Sequence, residues 1–445
     1  MSLRAEGRTA SFATRAHGHL GTPQTWLAEV RAVLPRLAST LGTSGAVTAL
    51  GLVTGTVAAR VLGPSQRGDL AQILLWPQLI ITLGNLGIEL AAVYLSGDPT
   101  RRRNVPATLL VVSLLQAAIL VPLYVAVMPL LLARHALMKE ALVMAPLIPL
   151  YLVGSVAIDV LAGRLRFGAF NLVRITLPAL YCAGLIPLAL ASRLSPMSAA
   201  LTFLCASAVA DFLALFLVWR GDGLGRFDRG IAKDALRFGL RAHVGRLSPQ
   251  ALGIDMAVIA LILASKDLGL YVAATAFLAA PSLVAVSIGM VVFPQASAAH
   301  QAGEKQELRA AFALQVVAVV LLSAVMFVFA HPLLTLLFGH QYAGATTAMR
   351  LLAVGAVAVY IRQFPMDVLR GVGRPGLTSV AEVANWVIFL AIVPLGGYLG
   401  GLVGISAALA VAAYLSLAVL AVLAWRSRAF HPVRTPAEAV PVASS

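Results

Sequence analysis

The chain has 445 residues, 60% of them hydrophobic and 11% charged, and its mean hydropathy is +0.90. A soluble fold of this length cannot cover so much apolar surface with so little charge, which excludes a soluble enzyme or binding module. The formal net charge of +15 would favour nucleic acid in a soluble protein. Here the basic residues sit at the ends of apolar stretches, where they orient a membrane protein, so no nucleic-acid partner is expected.

In chain order, the first 24 residues are polar and lack an early apolar core, so no cleaved signal peptide is expected. Residues 25–38 place Trp26, Leu27, Val30, Val33, Leu34 and Leu37 at helical spacing, as in an interfacial helix that leads into the membrane. A spanning helix needs roughly 20 apolar residues. Twelve such stretches follow, near 37–61, 70–95, 106–132, 141–162, 170–191, 197–219, 236–264, 268–294, 310–338, 348–371, 377–398 and 402–425. The expected architecture is an all-α membrane protein with about 12 transmembrane helices and no soluble domain. The segment after His431 has the composition of a disordered tail.

The basic residues give the orientation. With the N-terminus inside, the cytoplasmic segments hold 22 Lys and Arg and the opposite side holds 7, which puts both termini in the cytoplasm. The chain also repeats itself weakly. Span one ends in Arg60–Gly68 and leads into a span with Pro77; span seven ends in Ala264–Gly269 and leads into a span with Pro281. Each has a polar turn, a glycine and then a proline about three turns into the next helix. This points to two six-helix lobes in the same orientation around a central cavity. The expected divisions are a tail over 1–36, an N-lobe over 37–219, a loop over 220–235, a C-lobe over 236–425 and a tail over 426–445. Internal prolines (Pro77, Pro122, Pro146, Pro178, Pro281, Pro365 and Pro394) are expected to kink their helices.

An ionisable group inside a bilayer costs several kcal/mol unless it is paired or wet, so these groups mark function. They include Glu89, Asp159, Arg174, Asp211, Arg241, His243, Arg246, Asp255, Arg362, Asp367 and Glu382. Arg246 and Arg362 lie deep. Asp255 is nine residues beyond Arg246, on the opposite face of an unbroken helix, so it is not the partner of that arginine. Arg246, Arg362, Arg241, Arg174 and His243 are the candidates for holding an anionic head group, because guanidinium binds phosphate through two parallel hydrogen bonds. Asp211 and Asp255 are candidate coupling or gating carboxylates, and Asp211 is also within reach of Arg174. Asp367 and Arg370 have the spacing of a helix-face ion pair. Cys182 and Cys205 fall inside spans and read as small packing residues. There is no metal-ligand spacing, no nucleotide-binding loop and no nucleophile motif, so neither a cofactor nor a catalytic residue is expected.

Three stretches resemble a known family. These are Ala58-Ala-Arg-Val-Leu-Gly-Pro-Ser-Gln-Arg-Gly-Asp-Leu70, Leu369-Arg-Gly-Val-Gly-Arg-Pro375 and Pro394-Leu-Gly-Gly-Tyr-Leu-Gly-Gly-Leu-Val-Gly-Ile-Ser-Ala-Ala408. They are similar to the polysaccharide exporter branch of the multidrug/oligosaccharidyl-lipid/polysaccharide (MOP) superfamily, which includes O-antigen-type flippases. The resemblance implies a monomer in the bacterial inner membrane that carries a polyprenyl-pyrophosphate-linked oligosaccharide between leaflets by alternating access. Its expected partners are that lipid-linked substrate, membrane lipids and enzymes of polysaccharide biosynthesis. Many relatives carry Arg two residues before an Asp in span seven; here the aspartate is Asp255 and the matching position is Gly253. The alternatives are a cation-coupled multidrug exporter of the same superfamily and a membrane polysaccharide polymerase or ligase. The short, nearly bare outer loops argue against the latter.

Overall fold

The computed structural model describes residues 23–132, 135–244, 254–302, 308–372 and 374–426. The helix α1 (Pro23–Gly84) begins two residues before the stretch expected to be interfacial and runs for 62 residues. At 1.5 Å per residue that is about 90 Å, three times a hydrocarbon core of roughly 30 Å, so one straight rod is excluded. The helix breaks at Gly63 (φ 71°, ψ 173°), in a region of backbone space that favours glycine. A second break follows at Asn85-Leu86-Gly87, with φ of 50° at Leu86 and 73° at Gly87, before α2 (Ile88–Ser96). Breaking a helix frees carbonyls, and in a bilayer only protein can satisfy them. Gln116, buried on α3 (Val105–Leu131), donates its Nε2 to Gly84 O and Asn85 O, each at 3.2 Å.

Span four is divided into α4 (Met138–Val143) and α5 (Leu147–Gly163). Pro146 causes this, since its ring clashes with the carbonyl four residues back. The helices α6 (Phe167–Leu190) and α7 (Pro196–Asp222) are continuous, and α7 starts with proline after a reciprocal Ser195–Ser198 capping box. Next come α8 (Arg229–Val244), α9 (Ile254–Ile262), α10 (Ser265–Thr275) and α11 (Ala279–Ala302). The 3₁₀ turn Ala276–Leu278 lies one turn before Pro281, for the reason given for Pro146. The helix α12 (Arg309–Val328) stops four residues short of Pro332, inside α13 (Ala330–Phe338). The last two are α14 (Thr346–Gly371) and α15 (Pro375–Arg426), which breaks at Gly400 and Gly401. Pro122, Pro178, Pro365 and Pro394 lie inside helices that stay continuous around them.

Nine helices among the described residues are long and apolar enough to cross a membrane. Two of these, within α1 and α15, contain the glycine breaks. Each expected span overlaps helix. The seventh is represented by α8 and α9, and residues 245–253 between them lie outside the described residues. Many outward side chains are large and apolar, such as Leu130 and Leu190, both 82% exposed. That surface fits lipid, not water.

The helices form two groups, α1–α8 and α9–α15, whose cores meet, among the described residues, at one end only. The largest core cluster contains Leu62, Leu70 and Trp76 from the first group and Ile259, Tyr271, Phe338 and Tyr342 from the second. At the other end each group has its own core. Ile88, Leu109, Val160, Val218 and Ile231 pack in the first, and Met366, Leu369, Ala381 and Leu420 pack in the second. The helix α8 packs with the first group, although the sequence drew most of it into the C-lobe.

The arms of α15 pack closely enough that a Cβ on Gly404 would meet Gly396 O at 2.0 Å. Gly404→Val should cost ~1–3 kcal/mol through overpacking. This will lower the thermal unfolding midpoint in detergent, whereas Gly376→Ala, with nothing within 4 Å of its added carbon, will leave it in place.

Candidate functional site

The joined end is a seal between two broken helices. A Cβ on Gly68 would meet Ser265 O at 1.7 Å, and one on Gly269 would meet Pro64 O at 1.9 Å. Both glycines are therefore required for the backbones to touch. Around this crossing each group caps a helix C-terminus of the other. Arg60, at the end of the first arm of α1, donates Nε to Leu337 O at 2.9 Å and Nη2 to Leu336 O in the last turn of α13. In return Gln341 donates to Ala59 O and Arg60 O at 3.2 and 3.1 Å, and the Tyr342 hydroxyl donates to Ala59 O at 3.1 Å. These are the carbonyls that the break at Gly63 leaves without an intrahelical partner. The arginine also places a cation at the negative end of a helix dipole.

Below the seal, between the groups, is a cavity of about 290 Å³ lined by Gly51, Gly55 and Ala59 of α1 and by Ala273, Thr275 and Phe338 of the second group. Its one charged lining residue is Arg67. Among the described residues no carboxylate stands within ion-pair distance of Arg67. The sequence reading counted Arg67 as an orienting charge at a helix end. Its position in the cavity depends on the break at Gly63.

A second cavity, of about 380 Å³, lies within the second group and is lined by Asp255, Tyr271, Thr275, Tyr360, Arg362, Asn385 and Ser416 among others. Asp255 sits in the first turn of α9. Arg362 on α14 is paired: Glu382 on α15 lies 3.2 Å from it, and its guanidinium also donates to Ala381 O at 3.2 Å. From Glu382 the network passes to Asn385 at 3.5 Å and on to Ser416 at 2.7 Å.

The other candidates are dispersed. Arg174 donates to Ser44 Oγ at 3.2 Å and lies over the Phe170 ring at 5.3 Å. Asp211 accepts from Ser207 at 3.3 Å and presses on Gly154, where a Cβ would meet its Oδ1 at 1.9 Å. The Arg174–Asp211 pair allowed by the sequence does not form, because each residue is engaged locally. Asp367 and Arg370 do pair, at 3.4 Å. Arg241 and His243 are on α8, with side chains outside the described residues, and Arg246 lies outside them altogether. No group of three His, Cys, Asp or Glu among the described residues is placed to hold a metal.

Outside the spans, the loops at the separated end are tied by charge. The Thr100 hydroxyl and N–H hold Asp98 below its usual range, and the Asp234 carboxylate holds the Arg101 guanidinium above its own. Burial pushes Arg164 down, against the opposing effect of Asp222 at 3.2 Å.

Residues 36–300 match the family described as polysaccharide biosynthesis protein. The chain belongs to that family. A curated relative, an uncharacterized membrane protein of Methanocaldococcus jannaschii, is 26% identical over 127 residues. That stretch covers 27% of this chain and only about a quarter of the relative. The fold is shared with members of the MOP superfamily. An inward-facing multidrug resistance MATE family transporter gives a TM-score of 0.69 at 15% identity, over 87% of this chain and 96% of that one. The lipid II flippase MurJ in an inward closed conformation gives 0.70 at 14% identity, over 87% of each chain. A MOP superfamily transporter from Pyrococcus furiosus gives 0.57 at 15% identity, over 89% and 95%. The protein is thus a multi-pass membrane protein with the MOP fold.

Two outcomes test this geometry. Arg362→Met leaves Glu382 unpaired in a largely buried site and should cost ~3–5 kcal/mol, whereas Arg362→Met with Glu382→Met should recover most of that loss. Unfolding of both variants in detergent checks the pair. Arg60→Ala with Tyr342→Phe removes caps from both partners. A cysteine at Ala273, in a background lacking Cys182 and Cys205, should then react with maleimide at least ~10-fold faster.

Proposed function

We propose that the protein is a flippase that moves a polyprenyl-pyrophosphate-linked oligosaccharide across the bacterial inner membrane for cell-surface polysaccharide synthesis. The observation that carries this reading is the asymmetry of the cores, which are joined at the seal and separate at the other end. A cleft between groups that opens at one end and closes at the other is what alternating access requires. The charge bias, 22 basic residues against 7, assigns the open end to the cytoplasm, where such a substrate is made. On this reading both termini are cytoplasmic, the chain works as a monomer beside polysaccharide-synthesising enzymes, and no covalent chemistry is involved.

Arg67 is the head-group cation at the roof of the cleft, and Arg174 and the sequence candidates Arg246, Arg241 and His243 are proposed to assist it. Arg362 has a weaker claim, because Glu382 already neutralises it. An anionic pyrophosphate leaving a negative interior is helped by the membrane potential. Asp255, facing the cavity of the second group, and Asp211 are the coupling or gating carboxylates.

A second reading has one observation in its favour. Asp255 shares its cavity with Tyr271, Tyr360 and Phe389, and a carboxylate among aromatic rings suits a cationic drug. Reconstituted protein separates the two. The flippase reading expects a fluorescent polyprenyl-pyrophosphate oligosaccharide to cross liposome leaflets, with Arg67→Gln slowing it at least ~10-fold at an unchanged unfolding midpoint. Failure of that lipid to cross, together with cation-driven export of ethidium that is lost in Asp255→Asn, would establish the multidrug exporter instead.

A further inference from the structure

Helix α8 carries cations that no ion pair among the described residues engages. One of its faces is covered: Ile231, Ala232, Ala235 and Gly239 are buried against the first group. At the edge of that face Phe238 stacks on Tyr94, with ring centroids 4.6 Å apart and planes 6° from parallel. Arg101 grips Asp234 at 2.6 Å. On the uncovered side Arg229, Lys233 and Arg237 follow one another at intervals of four residues, and all three are exposed. Such spacing makes a single gently winding row along the helix.

The neighbouring carboxylates are already occupied. Asp228 caps the start of α8 by accepting the N–H groups of Gly230 and Ile231 at 2.8 and 3.1 Å. Asp234 is held by Arg101, and Asp222 by Arg102 and Arg164, each at 3.2 Å. Among the described residues no ion pair reaches Arg229, Lys233 or Arg237.

A face turned only to water would carry the cations alone. Here Leu236 and Leu240 lie beside the row, 42% and 53% exposed. Trp219 and Phe227, 59% and 53% exposed, flank the loop before α8, as aromatic side chains do at the level of lipid head groups. Cations in a row next to bare leucines match an anionic phospholipid, with phosphate against the row and the first acyl methylenes against the leucines.

We propose that the uncovered face of α8 is a docking surface for anionic phospholipid of the leaflet at the separated end of the molecule. The proposal does not depend on the flippase reading, because the ligand is bulk lipid. The helix is also the last element of the first group before the chain passes to the second, so a lipid held there sits where the groups part.

The test uses the full-length protein in detergent, titrated with phosphatidylglycerol or phosphatidylcholine and read by native mass spectrometry. The wild type should retain phosphatidylglycerol in preference. Substituting Arg229, Lys233 and Arg237 together by Gln should weaken that retention by roughly 100-fold while leaving phosphatidylcholine unchanged. The charge-conserving pair Arg229→Lys and Arg237→Lys should keep most of it. Equal phosphatidylglycerol retention by the triple Gln variant and the wild type overturns the proposal. So does a triple variant that loses a polyprenyl pyrophosphate probe but keeps phosphatidylglycerol, since the row would then serve the transported substrate. In either case the leaflet-crossing assay above still decides the flippase reading by itself.

Discussion

In hydrocarbon no water is present to satisfy a free backbone carbonyl, and every irregularity in this fold is built around that constraint. At several of the breaks among the described residues, a polar side chain from another helix meets a released carbonyl. Gln116 reaches Gly84 and Asn85, Tyr124 reaches Ala141, and Tyr360 reaches Leu278. The seal uses the same solution twice and reciprocally, with Arg60 serving the second group and Gln341 and Tyr342 serving the first. The contacts that close the cleft are therefore the caps that make two helix ends tolerable in lipid. Separating the groups exposes carbonyls on both sides, and each must find water or another donor.

Charge obeys a related economy. A guanidinium buried in the bilayer is costly unless it is paired or wet, and the fold answers in different ways at different sites. Arg362 is paired with Glu382, and Arg174 rests on a ring and a hydroxyl. Arg67 borders a cavity, and among the described residues no carboxylate stands within ion-pair distance of it. Among the described residues, the cation that lines the cavity between the groups is thus a residue at a helix turn and not the one deepest in its span. Depth in the sequence marks where a charge is expensive; the neighbouring helix decides whether that expense has already been met.

The division of the cores gives the geometry a mechanical sense. Backbone contact at Gly68 and Gly269 leaves no room for side chains, so the seal is stiff and local. At the far end the described residues form two separate cores, one in each group. The helix α8 belongs to the first group and α9 to the second, so the chain changes allegiance within what the sequence reads as one span.

The sequence alone determined the class of molecule. Hydropathy located most of the helices to within a few residues, because membrane spans are set by length and apolar content, which are local properties; it missed the start of α8 at Arg229 and the end of α11 at Ala302 by seven and eight residues. Proline placed the breaks before Pro146 and Pro281, because its ring clashes with a carbonyl within the same helix. The glycine motif around Gly63 and Gly68 identified the turn and carried the family resemblance, and the spacing of Asp367 and Arg370 sufficed for their ion pair. The tertiary structure alone decided what each charge does. Nothing in the local sequence brings Glu382 to Arg362, aims Gln341 at Ala59, keeps Arg174 from Asp211 or leaves Arg229, Lys233 and Arg237 without an ion pair among the described residues. The physical reason is that these outcomes depend on which helices become neighbours and at what height they cross, and both are settled by packing between segments far apart in the chain.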